Sequence, residues 1–179
     1  MRRGGGAGEM QTDLSQRHLP RSRGDELLRV LSDDAIRDMN ADDLIVQKMR
    51  MAAEAAMKNA YYRYSNFSVG AAVLSADDKI SAGCNVENAS YGLTMCAERN
   101  AIFQAVAKGE LSKDRKLKAV VIVTPKEKLT APCGACRQVI YEFCEELDAD
   151  IFIFGGNNVG SFKLSALLPH AFGPKHLGK

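Results

Sequence analysis

The sequence lacks any long apolar run. Its longest stretches, such as Ala119 to Val123, fall far short of the ~20 residues that cross a bilayer. It also lacks a strong charge of either sign. Lys and Arg number 24 against 22 Asp and Glu, a formal charge of +2, too mild to argue for nucleic acid or an anionic membrane surface. An even set of cysteines is missing too: 5 in 179 residues do not resemble the paired framework of a small secreted domain. No apolar signal segment opens the chain. A reducing compartment, the cytoplasm, is therefore expected, and the cysteines need another explanation. Histidine is scarce, and His18, His170 and His176 fall in tails or loops, so none is a convincing metal ligand. What is present is an ordinary globular composition, 46% hydrophobic and 26% charged. That excludes a wholly disordered, collagenous or fibrous chain. It suits one domain with a sizeable core, plus a tail.

Residues 1–24 are rich in Gly, Arg and polar side chains and show no apolar periodicity. Such a stretch cannot bury enough surface to offset its ordering entropy, which predicts disorder. Arg2, Arg3, Arg17, Arg21 and Arg23 outnumber Glu9 and Asp13. The two acids argue against an organelle transit segment and for a solvated tail. Leu27, Leu28 and Leu31 share a face of a short helix, and the aspartates at 33, 34, 38, 42 and 43 read as a linker. Residues 1–42 are expected to be an extension, disordered or weakly ordered. Residues 43–179 are expected to form the domain.

Within the domain, Leu44, Met51, Ala55 and Tyr62 recur at helical spacing, which predicts an amphipathic helix over 43–60, capped by Asp42 or Asp43. Phe67 to Leu74 reads as a buried strand. Asp77-Asp78 turns the chain, and Lys79 to Asn85 pairs back as a hairpin. Cys96 to Lys108 reads as a helix with Ile102, Ala105 and Val106 inward, closed by Gly109. Lys118 to Thr124 is continuous and β-branched, as in a strand covered on both faces. Cys133 to Leu147 reads as a helix with Val139, Ile140 and Phe143 inward, Ile151 to Phe154 as a strand, and Phe162 to Leu168 as a strand ending in a helical turn. This alternation after an initial hairpin predicts an α/β sandwich with a mixed sheet.

Cys133-Gly-Ala-Cys136 is a C-x-x-C, which alone fits either a zinc site or a redox pair. Context adds more. Pro132 precedes it where a helix begins, and Cys96-Ala-Glu98 also sits where a helix begins. Three thiols at two helix N-termini would converge if the helices pack side by side on one sheet face. Helix dipoles favour the thiolate, the form that binds metal. Three protein ligands leave one position of a zinc tetrahedron open, the mark of a catalytic site. Glu98, two residues from a ligand, can face that position, take a proton from water and hand it to a substrate nitrogen.

The pairing C-x-E with P-C-x-x-C resembles the zinc deaminase signature, with Cys96 where nucleic-acid editing branches carry His. The match is wider. Phe67-Ser-Val-Gly-Ala-Ala72, Gly83 to Gly92, Cys96-Ala-Glu-Arg99, Pro132 to Gln138 and Leu167 to Gly173 together resemble a cytidine deaminase of the small, homotetrameric type, over about residues 44–175. Arg63 departs from the family, which usually has Pro there. The resemblance implies a three-layer α/β/α sandwich with a mixed sheet of about five strands, and one zinc ion per subunit. It implies a nucleoside substrate, without nucleic acid or membrane as partner. It implies zinc ligands at Cys96, Cys133 and Cys136, and a proton shuttle at Glu98. Asn85 and Glu87 would hold the ribose hydroxyls. Phe67 would flank the pyrimidine, and Ala97 would offer backbone groups to the base edge. Tyr91 and Phe172 would close the pocket from neighbouring subunits. Arg99 and Gln138 would donate to the thiolate sulfurs, offsetting their charge and restoring the Lewis acidity of the metal.

Rival readings stay open at this level. A structural zinc site needs a fourth ligand; Cys144 is about 12 Å along its helix from Cys136 at 1.5 Å per residue, but Cys84 is not excluded by arithmetic. A redox pair leaves Cys96 and Glu98 unexplained. Blasticidin-type deaminases share the metal motif, yet Asn85, Glu87 and Tyr91 favour a nucleoside. An editing deaminase would want a basic groove.

Overall fold

The computed structural model describes residues 41–114 and 116–178. The expectations for the extension, for the short Leu27 helix and for capping by Asp42 or Asp43 lie outside the described residues and side chains. In chain order the elements are α1 (Ala41–Met57), β1 (Gly70–Ser75), β2 (Ile80–Cys84), α2 (Ala97–Ala107), β3 (Leu117–Thr124), α3 (Gly134–Phe143), β4 (Asp150–Gly155), β5 (Asn158–Lys163) and a single turn, α4 (Leu164–Leu167).

The strands form one sheet in the order β2-β1-β3-β4-β5. β1 pairs antiparallel with both β2 and β3, β3 pairs parallel with β4, and β4 pairs antiparallel with β5. The sheet is thus mixed, five-stranded and covered on both faces. One face packs Ala72, Leu74, Val121, Val123 and Phe154 against Met49 and Ala53 of α1. The other packs Ala71, Val73, Val120, Ile122, Ile151 and Ile153 against α2 and α3. Strand side chains alternate between faces, so a continuous apolar run such as Val120 to Val123 serves two cores at once.

This connectivity fixes where the helices begin. β2 and β3 both run against β1, so they run parallel to each other. The connections leaving their carboxyl ends emerge at the same edge of the sheet. α2 follows one connection and α3 the other, both on the same face and in mutual contact. Their N-termini therefore start side by side.

Several boundaries differ from expectation, each for a physical reason. The first helix forms, but with the opposite face inward. Met49 and Ala53 are fully buried with Ile45, Val46, Ala52 and Met57 packed beside them, whereas Leu44 and Met51 are 58% and 68% exposed. The helix carries two apolar stripes, and the one with small residues fits against the sheet. The first strand starts at Gly70, not Phe67, because the side chain of Asn85 takes the place of a ladder partner for the preceding segment: it accepts from the Val69 amide at 2.8 Å and donates to the Phe67 carbonyl at 2.9 Å. Val106 is 40% exposed, and Ala97 and Ala101 take the inward positions of α2. α3 stops at Phe143; Glu146 and Leu147 follow with φ of 48° and 64°, a left-handed corner that no helix continues through. β5 begins earlier than expected, because Gly156, at φ 57°, lets β4 turn directly into it.

Two glycines set the helix-to-sheet distance. A Cβ on Gly70 would lie 2.0 Å from the Ala53 carbonyl oxygen of α1, and one on Gly83 would lie 2.6 Å from the Ala101 nitrogen of α2. Both neighbours are backbone and cannot swing away. Gly83→Ala should therefore destabilise the protein by about 1–3 kcal/mol, as overpacking does. Urea titration should show a lower midpoint at an unchanged slope. A midpoint equal to that of the wild type would mean that α2 does not rest on this strand as tightly as the geometry states.

Candidate metal centre and adjoining pocket

Cys96 is the residue on which α2 opens and Cys133 the residue on which α3 opens; Cys136 lies in the first turn of α3. Their sulfurs all lie within 4.8 Å of one another. Cys96 Sγ and Cys133 Sγ are 3.9 Å apart, and Cys133 Sγ and Cys136 Sγ 3.4 Å. A tetrahedral zinc with bonds near 2.3 Å needs its sulfurs roughly 3.8 Å apart, so the group fits that ion. Among the described residues, no fourth His, Cys, Asp or Glu joins the group. Cys84 lies outside it. Cys144 is buried, with its sulfur 3.6 Å from the Tyr141 carbonyl.

The electrostatics favour an anionic Cys96. Cys96 is lowered to about 5, chiefly by a hydrogen bond from the Cys136 thiol, with Arg99 contributing. The same contact with Cys96, together with burial, pushes the Cys136 thiol up. Arg99 Nη2 donates to Cys96 Sγ at 3.5 Å and to the Thr94 carbonyl at 3.2 Å. Its guanidinium is raised further above its ordinary value, first by this hydrogen bond to Cys96.

Glu98 sits in the first turn of α2, only 4% exposed. Burial raises its carboxyl above the ordinary carboxylate range. It lines a cavity of about 230 Å³ together with Cys96, Cys133, Ala97, Phe67, Asn85 and Glu87. Sequence-predicted residues from four separate segments thus meet in one place. Ile122 and Thr124 of β3, with Thr94 and Thr130, complete much of the wall.

The polar residues at the mouth also hold the chain. Glu87 Oε2 accepts from the backbone nitrogens of Tyr64 at 2.8 Å and Ser65 at 3.2 Å. The Ser65 side chain and these amides keep the Glu87 carboxyl below its usual range. Phe67 forms part of the cavity wall, and the Lys126 ammonium stands 5.0 Å from the centre of its ring.

Three predicted residues lie elsewhere. Tyr91 is 76% exposed and lines a second cavity, of about 390 Å³, which shares Ser65, Glu87 and Thr94 with the first. Phe172 is 60% exposed, stacks on His176 at 5.2 Å, and lines neither cavity. Gln138, expected beside the sulfurs, donates its amide to the Phe172 carbonyl at 2.9 Å and so ties down the C-terminal segment. Arg137, which sequence reasoning passed over, does similar work. It donates to the Pro132 carbonyl at 2.7 Å and the Leu167 carbonyl at 2.8 Å, linking the Cys133 loop to α4. Its position between two singled-out residues, Cys136 and Gln138, was the available signal.

Comparison with known proteins gives a consistent answer. Residues 44–147 match the family described as the cytidine and deoxycytidylate deaminase zinc-binding region. A cytidine deaminase of Sporosarcina psychrophila is 42% identical over 135 residues, covering 74% of this chain and 94% of that protein. One of Halalkalibacterium halodurans is 45% identical over 120 residues, covering 65% and 86%. The crystal structure of a cytidine deaminase from Burkholderia pseudomallei superposes with a TM-score of 0.65 at 41% identity, covering 75% of this chain and all of that one. All three thiols and Glu98 fall inside the matched region. The chain belongs to the cytidine and deoxycytidylate deaminase family, and its cofactor is zinc.

Proposed function

We propose that this protein deaminates cytidine and 2′-deoxycytidine hydrolytically, giving uridine and 2′-deoxyuridine plus ammonia, as a pyrimidine salvage enzyme. One observation carries the reading: a three-sulfur group at two helix N-termini opens onto a cavity whose wall holds a buried carboxylate. Cys96, Cys133 and Cys136 hold the ion. Zinc held there supplies a Lewis acid that makes water acidic enough to lose a proton near neutral pH.

The remaining steps belong to the protein's own groups. Glu98 takes a proton from the attacking water and delivers it to ring N3; it then takes the water's second proton from the oxygen now bonded to C4 and passes it to the amine, which leaves as ammonia as the C4 carbonyl forms. Its raised carboxyl suits it to hold a proton closer to neutral pH than an exposed glutamate does. Phe67 presents an aromatic wall to the flat base, and Ala97 offers its backbone to the base edge. Glu87, anionic at the cavity mouth, accepts from the sugar hydroxyls, and Asn85 keeps one N–H beyond those it uses on the chain. Arg99 withdraws charge from Cys96.

The working unit we propose is a homotetramer in the cytoplasm, with residues 43–179 as catalytic domain and 1–42 as extension. Tyr91 and Phe172 are largely open to solvent, although Tyr91 meets the Tyr64 ring edge-on and Phe172 stacks on His176. A neighbouring subunit's pocket is the partner such aromatics suit. No described helix is long and apolar enough to cross a membrane.

Ammonia release from cytidine, deoxycytidine, cytosine and CMP, assayed side by side, tests the substrate class; nucleosides should lead. Glu98→Gln should keep zinc yet lose at least the roughly 10²–10⁴-fold typical of general acid–base catalysis. Near-normal turnover by that zinc-loaded variant would remove Glu98 from the chemistry.

Alanine at Cys96, Cys133 or Cys136 should lower metal content and activity together, whereas Cys84→Ala and Cys144→Ala should retain zinc. Full occupancy in Cys96→Ala would show the ligand set to be wrong.

Assembly is tested by mixing inactive Glu98→Gln subunits with impaired Phe172→Ala subunits. Recovery of activity in mixed oligomers is expected where pockets are built across chains. A fully active monomer would count against sharing.

A further inference from the structure

β3 rises toward the cavity with Val120, Ile122 and Thr124 at alternate positions, so all three side chains point to the face covered by α2 and α3. Val120 and Ile122 belong to the apolar core on that face. Thr124, the last residue of the strand, is 3% exposed and lines the cavity beside Ile122 and Glu98. Its backbone is occupied by pairing with Gly155 of β4. Its hydroxyl oxygen, by contrast, is buried with no hydrogen-bond partner among the described residues. An unsatisfied buried hydroxyl is costly and asks for an explanation in each protein that keeps one. Valine would fill nearly the same space without that cost.

Resting on the reading of the cavity as a nucleoside site, we propose that Thr124 contacts the ligand: its Oγ1 makes its hydrogen bond to a polar atom of the bound pyrimidine. A staggered step about χ1 carries the hydroxyl to another of the three positions around Cβ, so the oxygen turns into the cavity when a partner arrives. In the free protein the hydroxyl is a burden; in the complex it is a contact. That combination separates a binding group from a packing group, because removing it should move stability and activity in opposite directions.

The test uses the zinc-loaded full-length protein, wild type against Thr124→Val and Thr124→Ser. Thr124→Val should raise the ligand-free melting temperature by a few degrees, about what relief of one buried polar group gives in a domain of this size. It should also lose roughly five- to ten-fold in kcat/KM for cytidine, the worth of one neutral hydrogen bond. The extra thermal stabilisation by saturating uridine should shrink correspondingly. Thr124→Ser, which keeps the oxygen, should recover most of the loss. A ligand-free Thr124→Val protein less stable than wild type overturns the proposal, as does an unchanged kcat/KM. Should wild type neither turn over cytidine nor gain stability from uridine, the functional reading itself fails, whatever the Thr124 variants do.

Discussion

Everything at the functional end of this protein depends on one topological constraint: β2 and β3 run parallel while β1 lies between them. Antiparallel partners can be joined by a tight turn, but strands running the same way need a long crossover. Here each crossover is completed by a helix on the same face, and each helix begins at the same sheet edge. Two sets of unpaired N–H groups thereby face one small volume, which becomes positive before any side chain is counted. Cysteine is well placed in such a field, because the thiolate is the form that the field stabilises. The metal centre follows from the fold's connectivity, not from a dedicated metal-binding loop.

Concentrating thiolates creates its own difficulty. Three anionic sulfurs on a divalent cation leave net negative charge, which would dull a Lewis acid and repel a nearby carboxylate. The structure answers with Arg99, one turn into α2, whose guanidinium reaches back to Cys96 and to the Thr94 carbonyl. Glu98 sits beside that arginine in sequence but turns inward, where burial and the Cys96 charge both disfavour its anion. Burial comes first in raising that carboxyl, and the Cys96 charge adds to it. Two adjacent residues on one helix turn take opposite roles because one faces the sulfurs and the other the cavity.

How much of this was legible in the sequence depends on the range of the signal. The thiols and Glu98 could be read from spacing, since a residue that starts a helix and a residue two positions on have a nearly fixed relation. The sheet could be read where strands are continuous and β-branched, as in Lys118 to Thr124. The face of α1 could not, because Leu44 and Met51 form a stripe as apolar as Met49 and Ala53 do, and it is packing against the sheet that separates them. The contact that Gln138 makes was out of reach for a similar reason. Its neighbourhood includes a segment 34 positions away, which no local pattern reports. Thr124 carries no local signal, because a threonine ending a strand is unremarkable until its hydroxyl is seen to lack a partner among the described residues.

The pocket wall shows how a binding surface can be ready before its ligand arrives. The segment from Tyr64 to Val69 precedes β1 and cannot join the ladder, so its backbone groups need other partners. Glu87 takes the Tyr64 and Ser65 amides; Asn85 takes the Val69 amide and the Phe67 carbonyl. Both polar residues come from the connection between β2 and α2, the same connection that delivers Cys96. The wall and the metal centre are therefore placed by one stretch of chain. A shift of that stretch would move Phe67, Glu87 and the first sulfur together. Ordering the wall is a cost met on folding rather than on binding, which leaves more of the contact energy available to the ligand. The hydrogen bonds that Asn85 makes to the chain also explain why a polar side chain is tolerated at a buried position there.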